Sequence, residues 1–163
     1  MNGAFRLLLA DDHEVVLQGL RRILDLPTFE IVGVVRDGRA LVEAARELKP
    51  DLIITDVSMP LLNGVEATRQ IRKHDPKAKI IFLTMHSEAI YAVEAMKAGA
   101  SGYLMKNADV KEMIEATRKV MDGGIYVTPA LEEAVVNVLR QSGERNRRVD
   151  AVNRTDCLAT FGS

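Results

Sequence analysis

The stretch Leu52-Ile53-Ile54-Thr55-Asp56-Val57-Ser58-Met59-Pro60 decides the fold: an apolar and β-branched run stops at one carboxylate and then turns. Lys49-Pro50-Asp51 precedes it, and Pro60 with Asn63-Gly64 closes it. A run without alternation, bounded by turn residues, reads as a strand buried on both faces of a parallel sheet. Asp56 then stands at the carboxyl end of that strand, the edge at which open α/β sheets bind ligands. A single aspartate there reads equally well as the start of a loop, so the other strand ends have to decide.

Phe5 to Ala10 forms a first strand that ends in Asp11-Asp12-His13. Val16, Leu20, Ile23 and Leu24 repeat with helical spacing up to Pro27, and Asp12 also reads as the N-cap of that helix. Glu30 to Val35 is a second strand. Asp37-Gly38 then opens a helix with Leu41, Ala44, Ala45 and Leu48 inward, stopped by Lys49-Pro50. A helix from about Val65 to His74 follows the Asp56 strand, and Lys79 to Thr84 is the fourth strand. Ser87 is placed as the N-cap of the next helix, with Val93 and Met96 facing the core and Gly99 ending it. The fifth strand, Gly102 to Met105, ends in Lys106.

Asp109 and Glu112 have capping-box spacing, and Val110, Met113, Ile114, Thr117, Val120 and Met121 make one helical stripe before Gly123-Gly124. Ile125-Tyr126-Val127 is a brief apolar segment. Thr128-Pro129 opens a sixth helix lined by Leu131, Val135, Val138 and Leu139. Residues 142–163 mix arginines with acids and have no period, the composition of a mobile tail.

Five β-α units imply a flavodoxin-like, doubly wound, five-stranded parallel sheet of order 2-1-3-4-5, with a sixth helix and a tail after it. The switch point of that order lies between strands 1 and 3, which puts Asp11 and Asp12 beside Asp56. Thr84 and Lys106 end strands 4 and 5 at the same rim. Three neighbouring carboxylates repel one another unless a cation sits among them. Mg²⁺, which takes oxygen ligands and completes its shell with water and phosphate oxygens, answers that need. With the metal on one side and Lys106 on the other, the crevice suits a phosphoryl group, and Asp56 is the candidate nucleophile.

Composition narrows the classes further. Of 163 residues, 47% are hydrophobic, and the formal net charge of -1 gives no general attraction to nucleic acid or anionic lipid. Cys157 is the only cysteine, so no internal disulfide forms, and the chain fits a reducing cytoplasm. No apolar run approaches the roughly 18 residues of a membrane span, and no secretory leader is legible at the N-terminus.

Together Ala10-Asp11-Asp12-His13, Thr55-Asp56-Val57-Ser58-Met59-Pro60 with Asn63-Gly64, Leu83-Thr84 and Gly102-Tyr103-Leu104-Met105-Lys106 resemble the response-regulator receiver domain of two-component signalling. Asp12-His13, Ala98 to Tyr103 and Gly123-Gly124 are most similar to the NarL/FixJ-type subfamily. The resemblance implies a receiver over residues 1–128, a linker helix over 129–141 and a disordered tail over 142–163.

It also implies chemistry. Asp56 accepts a phosphoryl group from a sensor histidine kinase, with Mg²⁺ (or Mn²⁺) held directly by Asp12, Asp56 and the backbone carbonyl of Ser58, and by Asp11 largely through water. Thr84 turns to the phosphoryl group, Lys106 pairs with it, and Tyr103 follows as a switch that alters the face of helix 4, strand 5 and helix 5. Tyr103 also reads as an ordinary half-buried strand aromatic. Ser58 and His86, each two residues past a site residue, are placed to tune dephosphorylation. The chain is then a phosphoacceptor with slow autodephosphorylation rather than an enzyme, and a homodimer on phosphorylation uses helices 4 and 5 or the outer side of the sixth helix.

Two departures accompany the resemblance. Asn107 stands where many receivers have proline after the lysine, leaving open a cis bond there. Too little chain follows Gln141 for the helix-turn-helix that NarL/FixJ-type receivers usually precede, so the chain is expected to lack that domain and to bind no DNA by itself. A shortened form of a DNA-binding transcriptional regulator is the alternative. A haloacid dehalogenase-type phosphatase would need an acid at position 58, and a flavin binder would need a phosphate loop where Asp11-Asp12 stand.

Overall fold

Strands and helices alternate along the chain. The computed structural model describes residues 3–141 and Val152. In order the elements are β1 (Phe5–Ala10), α1 (Glu14–Ile23), β2 (Phe29–Val35), α2 (Gly38–Leu48), β3 (Leu52–Thr55), α3 (Gly64–His74), β4 (Ile80–Thr84), α4 (Ala89–Lys97), β5 (Gly102–Met105), α5 (Val110–Met121), β6 (Tyr126–Val127) and α6 (Pro129–Gln141). All strand pairs are parallel, and the sheet order is β2-β1-β3-β4-β5-β6.

The expected order holds, but the sheet has six strands rather than five. β6 is too short to show a period. It forms because the Tyr126 and Thr128 N–H groups donate to the Ser101 and Tyr103 carbonyls, at 3.0 and 2.9 Å, along the free edge of β5. At the opposite edge Val32 is an extra residue between the Ile31–Leu7 and Gly33–Leu8 pairs, a bulge of the kind that twists edge strands away from unwanted pairing.

Successive strand residues point to opposite faces, and this sorts the core into two layers. Leu7, Leu9, Leu52, Ile54, Ile81, Leu83 and Leu104 meet α1 and α5. Leu8, Ala10, Ile53, Ile80, Phe82 and Tyr103 share the other layer with residues of α2, α3, α4 and α6. Every residue of β3 and β4 is buried, so their uninterrupted apolar runs follow from being covered twice. The helix expected as a linker packs on α4. Val152 is the one described residue of the expected tail; it is 1% exposed in the same layer, and its carbonyl accepts from Lys119 Nζ at 3.2 Å. The rest of that tail lies outside the described residues.

Asp37, Asn63 and Asp109 cap α2, α3 and α5, each accepting a backbone N–H three residues on at 2.8 Å. Three sequence placements shift. The N-cap of α1 is His13, not Asp12, and that of α4 is Glu88, not Ser87; neither makes a side-chain capping bond. In α5 the buried stripe is Met113, Ala116, Thr117 and Val120, while Val110, the first residue of the helix, is exposed. Every described peptide bond is trans, the one after Lys106 included.

Candidate functional site

The ends of β1, β3, β4 and β5 build the site, because register brings their last residues level. Ala10 is paired with Thr55 and Thr84 with Met105, so Asp11, Asp56 and Lys106 each follow by one residue. Backbone bonds fix that edge: Asp56 N–H donates to Ala10 O at 3.0 Å, Asp11 N–H to Val35 O at 3.1 Å and Lys106 N–H to Thr84 O at 2.8 Å. Gly64 lets the loop fold back against the Asp56 backbone. A Cβ there would stand 2.0 Å from the Asp56 carbonyl oxygen, and Gly64 N–H donates to Val57 O at 2.7 Å.

Asp11 and Asp56 are 2% and 4% exposed, whereas Asp12 reaches solvent. Lys106 Nζ lies 2.9 Å from Asp56 Oδ2 and 3.0 Å from Asp11 Oδ2, with its side chain 6% exposed. Burial works against the ammonium, but its hydrogen bonds and charge attraction to Asp56 and Asp11 outweigh burial and hold its pKa above the ordinary lysine value. Asp56 Oδ1 faces the other way and accepts from Ser58 N–H at 3.5 Å.

His13 joins this cluster, although sequence reasoning assigned it no role. Its Nδ1 lies 2.9 Å from Asp11 Oδ1, 3.3 Å from Asp12 Oδ1 and 3.2 Å from Lys106 Nζ. A lone histidine after two acids carries no periodic signal. As the N-cap of α1, His13 also donates its backbone N–H to Asp11 Oδ1 at 2.9 Å, which keeps the residue at the crevice. One ligand atom from each of Asp11, Asp12, His13 and Asp56 lies within 4.8 Å of the others. A donor set of three carboxylates and one imidazole fits a hard divalent cation, with the ring nitrogen as an added donor.

The remaining residues meet at His86. Its N–H donates to Thr84 Oγ1 at 3.1 Å, and its carbonyl accepts from the Tyr103 hydroxyl at 2.8 Å. Its ring stacks on Tyr91, centroids 4.2 Å apart, and Nε2 lies 3.0 Å from Ser58 Oγ. Ser58 and His86 thus bridge the loops after β3 and β4. Tyr103 is fully buried, beside Phe82, rather than half-buried. Burial, the largest influence, pushes its hydroxyl pKa up, so it stays protonated and remains a donor.

A parallel sheet of this order with three acids and a lysine at its carboxyl edge defines the flavodoxin-like class that carries its site on loops at the switch point. Residues 7–118 match the response regulator receiver domain, and the chain belongs to that family. It is 37% identical over 137 residues to the transcriptional regulatory protein DegU of Brevibacillus brevis, covering 83% of this chain and 58% of that protein. Over 122 residues it is 42% identical to the response regulator UvrY of Escherichia coli, covering 74% and 56%. A crystal structure of a LuxR-family two-component response regulator from Aurantimonas superposes with a TM-score of 0.77 at 34% identity, over 83% of this chain and 97% of that one.

The chain therefore spans little more than half the length of these curated relatives. Receivers of this family act with histidine kinases. No helix among the described residues is long and apolar enough to cross a membrane.

Proposed function

We propose that this receiver takes a phosphoryl group onto Asp56 from a sensor histidine kinase in the cytoplasm and holds it as a signal. The carrying observation is the meeting of Asp11, Asp12 and Lys106 around Asp56. A carboxylate oxygen of Asp56 attacks phosphorus as the phosphorus–nitrogen bond to the donor imidazole breaks, and the imidazole leaves with the electron pair of that bond. Lys106, already beside Oδ2, balances the charge of the transferred group.

Asp12, Asp56 and the Ser58 carbonyl would hold Mg²⁺ or Mn²⁺, with Asp11 acting largely through water. When bound, the metal offsets negative charge on the phosphoryl oxygens and the carboxylates. Thr84 donates its hydroxyl to a phosphoryl oxygen and Tyr103 answers the change, so the phosphorylated site favours a different packing around β4, α4 and β5. Ser58 and His86, joined across the mouth, set the access of water and hence how slowly the acyl phosphate is lost. Apart from that slow loss the chain turns over no substrate of its own.

The relative DegU, a transcriptional regulatory protein, supports a place in transcription regulation; we expect a homodimer as the phosphorylated state and no DNA contact from this chain alone. Incubation with Mg²⁺ and acetyl phosphate followed by intact mass tests the proposal. One added phosphoryl group is expected, absent in Asp56→Asn; an unchanged mass of the wild-type chain rejects it.

A further inference from the structure

We infer that the cleft between α2 and α3, at the amino edge of the sheet, binds a small amphipathic anion: an apolar body carrying one oxyanion head. This edge is the one opposite Asp56, and the inference stands apart from the receiver reading.

The cleft has a volume of about 340 Å³ and lies where Pro50 leads toward β3 and Lys79 into β4. Close-packed interiors leave few voids larger than a water, whereas ligand pockets run from about 300 to 1,000 Å³. Two of its wall residues, Ala45 and Ala78, are small and leave space that longer side chains would fill. Ile53 and Ile71 are buried in the same wall, and Val42 and Ala45 are half-buried. The interior is therefore apolar, with room for a body of about two or three aromatic rings.

The exposed part of the lining has the opposite character. Arg46, Lys49 and His74 stand there with a single acid, Asp75. Arg46 Nη2 lies 2.6 Å from His74 Nε2. A guanidinium donates and never accepts, so the imidazole nitrogen serves as the acceptor. A ring nitrogen is a weaker partner for that cation than an oxyanion is. Neither Arg46 nor Lys49 has a carboxylate at ion-pair distance among the described residues. Lys79, the third cation of the lining, donates to the Met121 carbonyl at 3.0 Å.

Lys49 adds a backbone argument. It is the C-cap of α2 at a left-handed φ of 46°, a position that suits glycine. A lysine there keeps an ammonium beside the cleft where the backbone alone would favour no side chain. Apolar walls under unpaired cations complement an apolar anion. Asp75 disfavours a head with several charges.

The test titrates the chain of residues 1–163 with anilinonaphthalene sulfonate, read by its fluorescence, and with N-phenylnaphthylamine, which has the same rings without the sulfonate. The expected result is saturation at one sulfonate per chain, with the neutral probe bound roughly 10-fold more weakly. Ala45→Phe fills the cleft and should abolish binding. Arg46→Gln, at an exposed position, removes only charge and should weaken the sulfonate roughly 3-fold or more while leaving the neutral probe unchanged. Binding without saturation, equal affinity for the two probes, or wild-type sulfonate affinity in either variant overturns the inference.

Discussion

Lys106 Nζ stands 2.9 Å from Asp56 Oδ2, and the same amine lies 3.0 Å from Asp11 Oδ2. One buried ammonium thus bridges two buried carboxylates contributed by different strands. The ion triad holds the crevice together before any phosphoryl group arrives, and it keeps a cation where new negative charge would appear.

Removing that amine leaves both carboxylates buried and uncompensated. Breaking a buried pair from one side costs about 3–5 kcal/mol. Lys106→Met should therefore lose about that much unfolding free energy at neutral pH, measured by urea titration followed by circular dichroism. A loss below about 1 kcal/mol, the worth of a surface pair, would contradict the geometry.

The alkaline limb of stability follows from the same amine. Its pKa in the fold is raised above the ordinary 10.5. A lysine with a raised folded value stabilises fully below its unfolded value and loses that contribution as pH rises through the folded value. Wild type should hold the Lys106 contribution up to about pH 10.5 and lose it above. Lys106→Met should lack that component, seen as a smaller drop in melting temperature between pH 10 and 12.

Strand runs, the Asp109 cap and the strand-end acids were legible because each is a local pattern: apolar residues between turn residues, a carboxylate just past them, or an acid three residues before its capping partner. Asp11, Asp56, Thr84 and Lys106 could be placed on one rim by topology alone. His13, β6 and the covered face of α4 were not legible, for three different reasons. A single histidine has no period. A two-residue strand is made by its neighbour's free edge. The pairing of α4 with α6 is a long-range packing choice that neither helix announces. Ser87 failed as a cap because the helix starts two residues later, at Ala89, after His86 has been drawn toward Thr84 and Tyr103.

Gly64 marks the tightest approach of the backbone to the acceptor. Gly64→Ala would push a Cβ to 2.0 Å from the Asp56 carbonyl and 2.9 Å from Phe82 Cε1. It should cost about 1–3 kcal/mol and slow phosphorylation by shifting Asp56. Wild-type urea midpoint together with wild-type labelling rate would show that the loop is looser than described.

Leu61 holds a left-handed φ of 68° while 73% exposed, so its side chain gains little from packing. That conformation costs a leucine roughly 1–2 kcal/mol, against a chain-entropy cost of roughly 0.5–1 for glycine. Leu61→Gly should raise stability by about 0.5–1 kcal/mol, read from the urea midpoint, and any destabilisation would refute this reading.

The Ser58–His86 bridge spans 3.0 Å across the mouth of the crevice. Ser58→Ala and His86→Ala should each speed loss of the phosphoryl group several-fold, and the double variant should be no faster than the faster single one. Groups acting as one contact are not additive. Decay rates equal to wild type in both single variants would remove these residues from the account.

The most direct measurement is reduction of the acyl phosphate. The chain of residues 1–163 is incubated with Mg²⁺ and acetyl phosphate, reduced with borohydride, which converts an aspartyl phosphate to homoserine, and mapped by peptide mass. The account predicts homoserine at position 56 alone, dependent on the phosphodonor. Reduction at Asp11 or Asp12 instead, or none at Asp56 in a chain that has gained the phosphoryl mass, would contradict it.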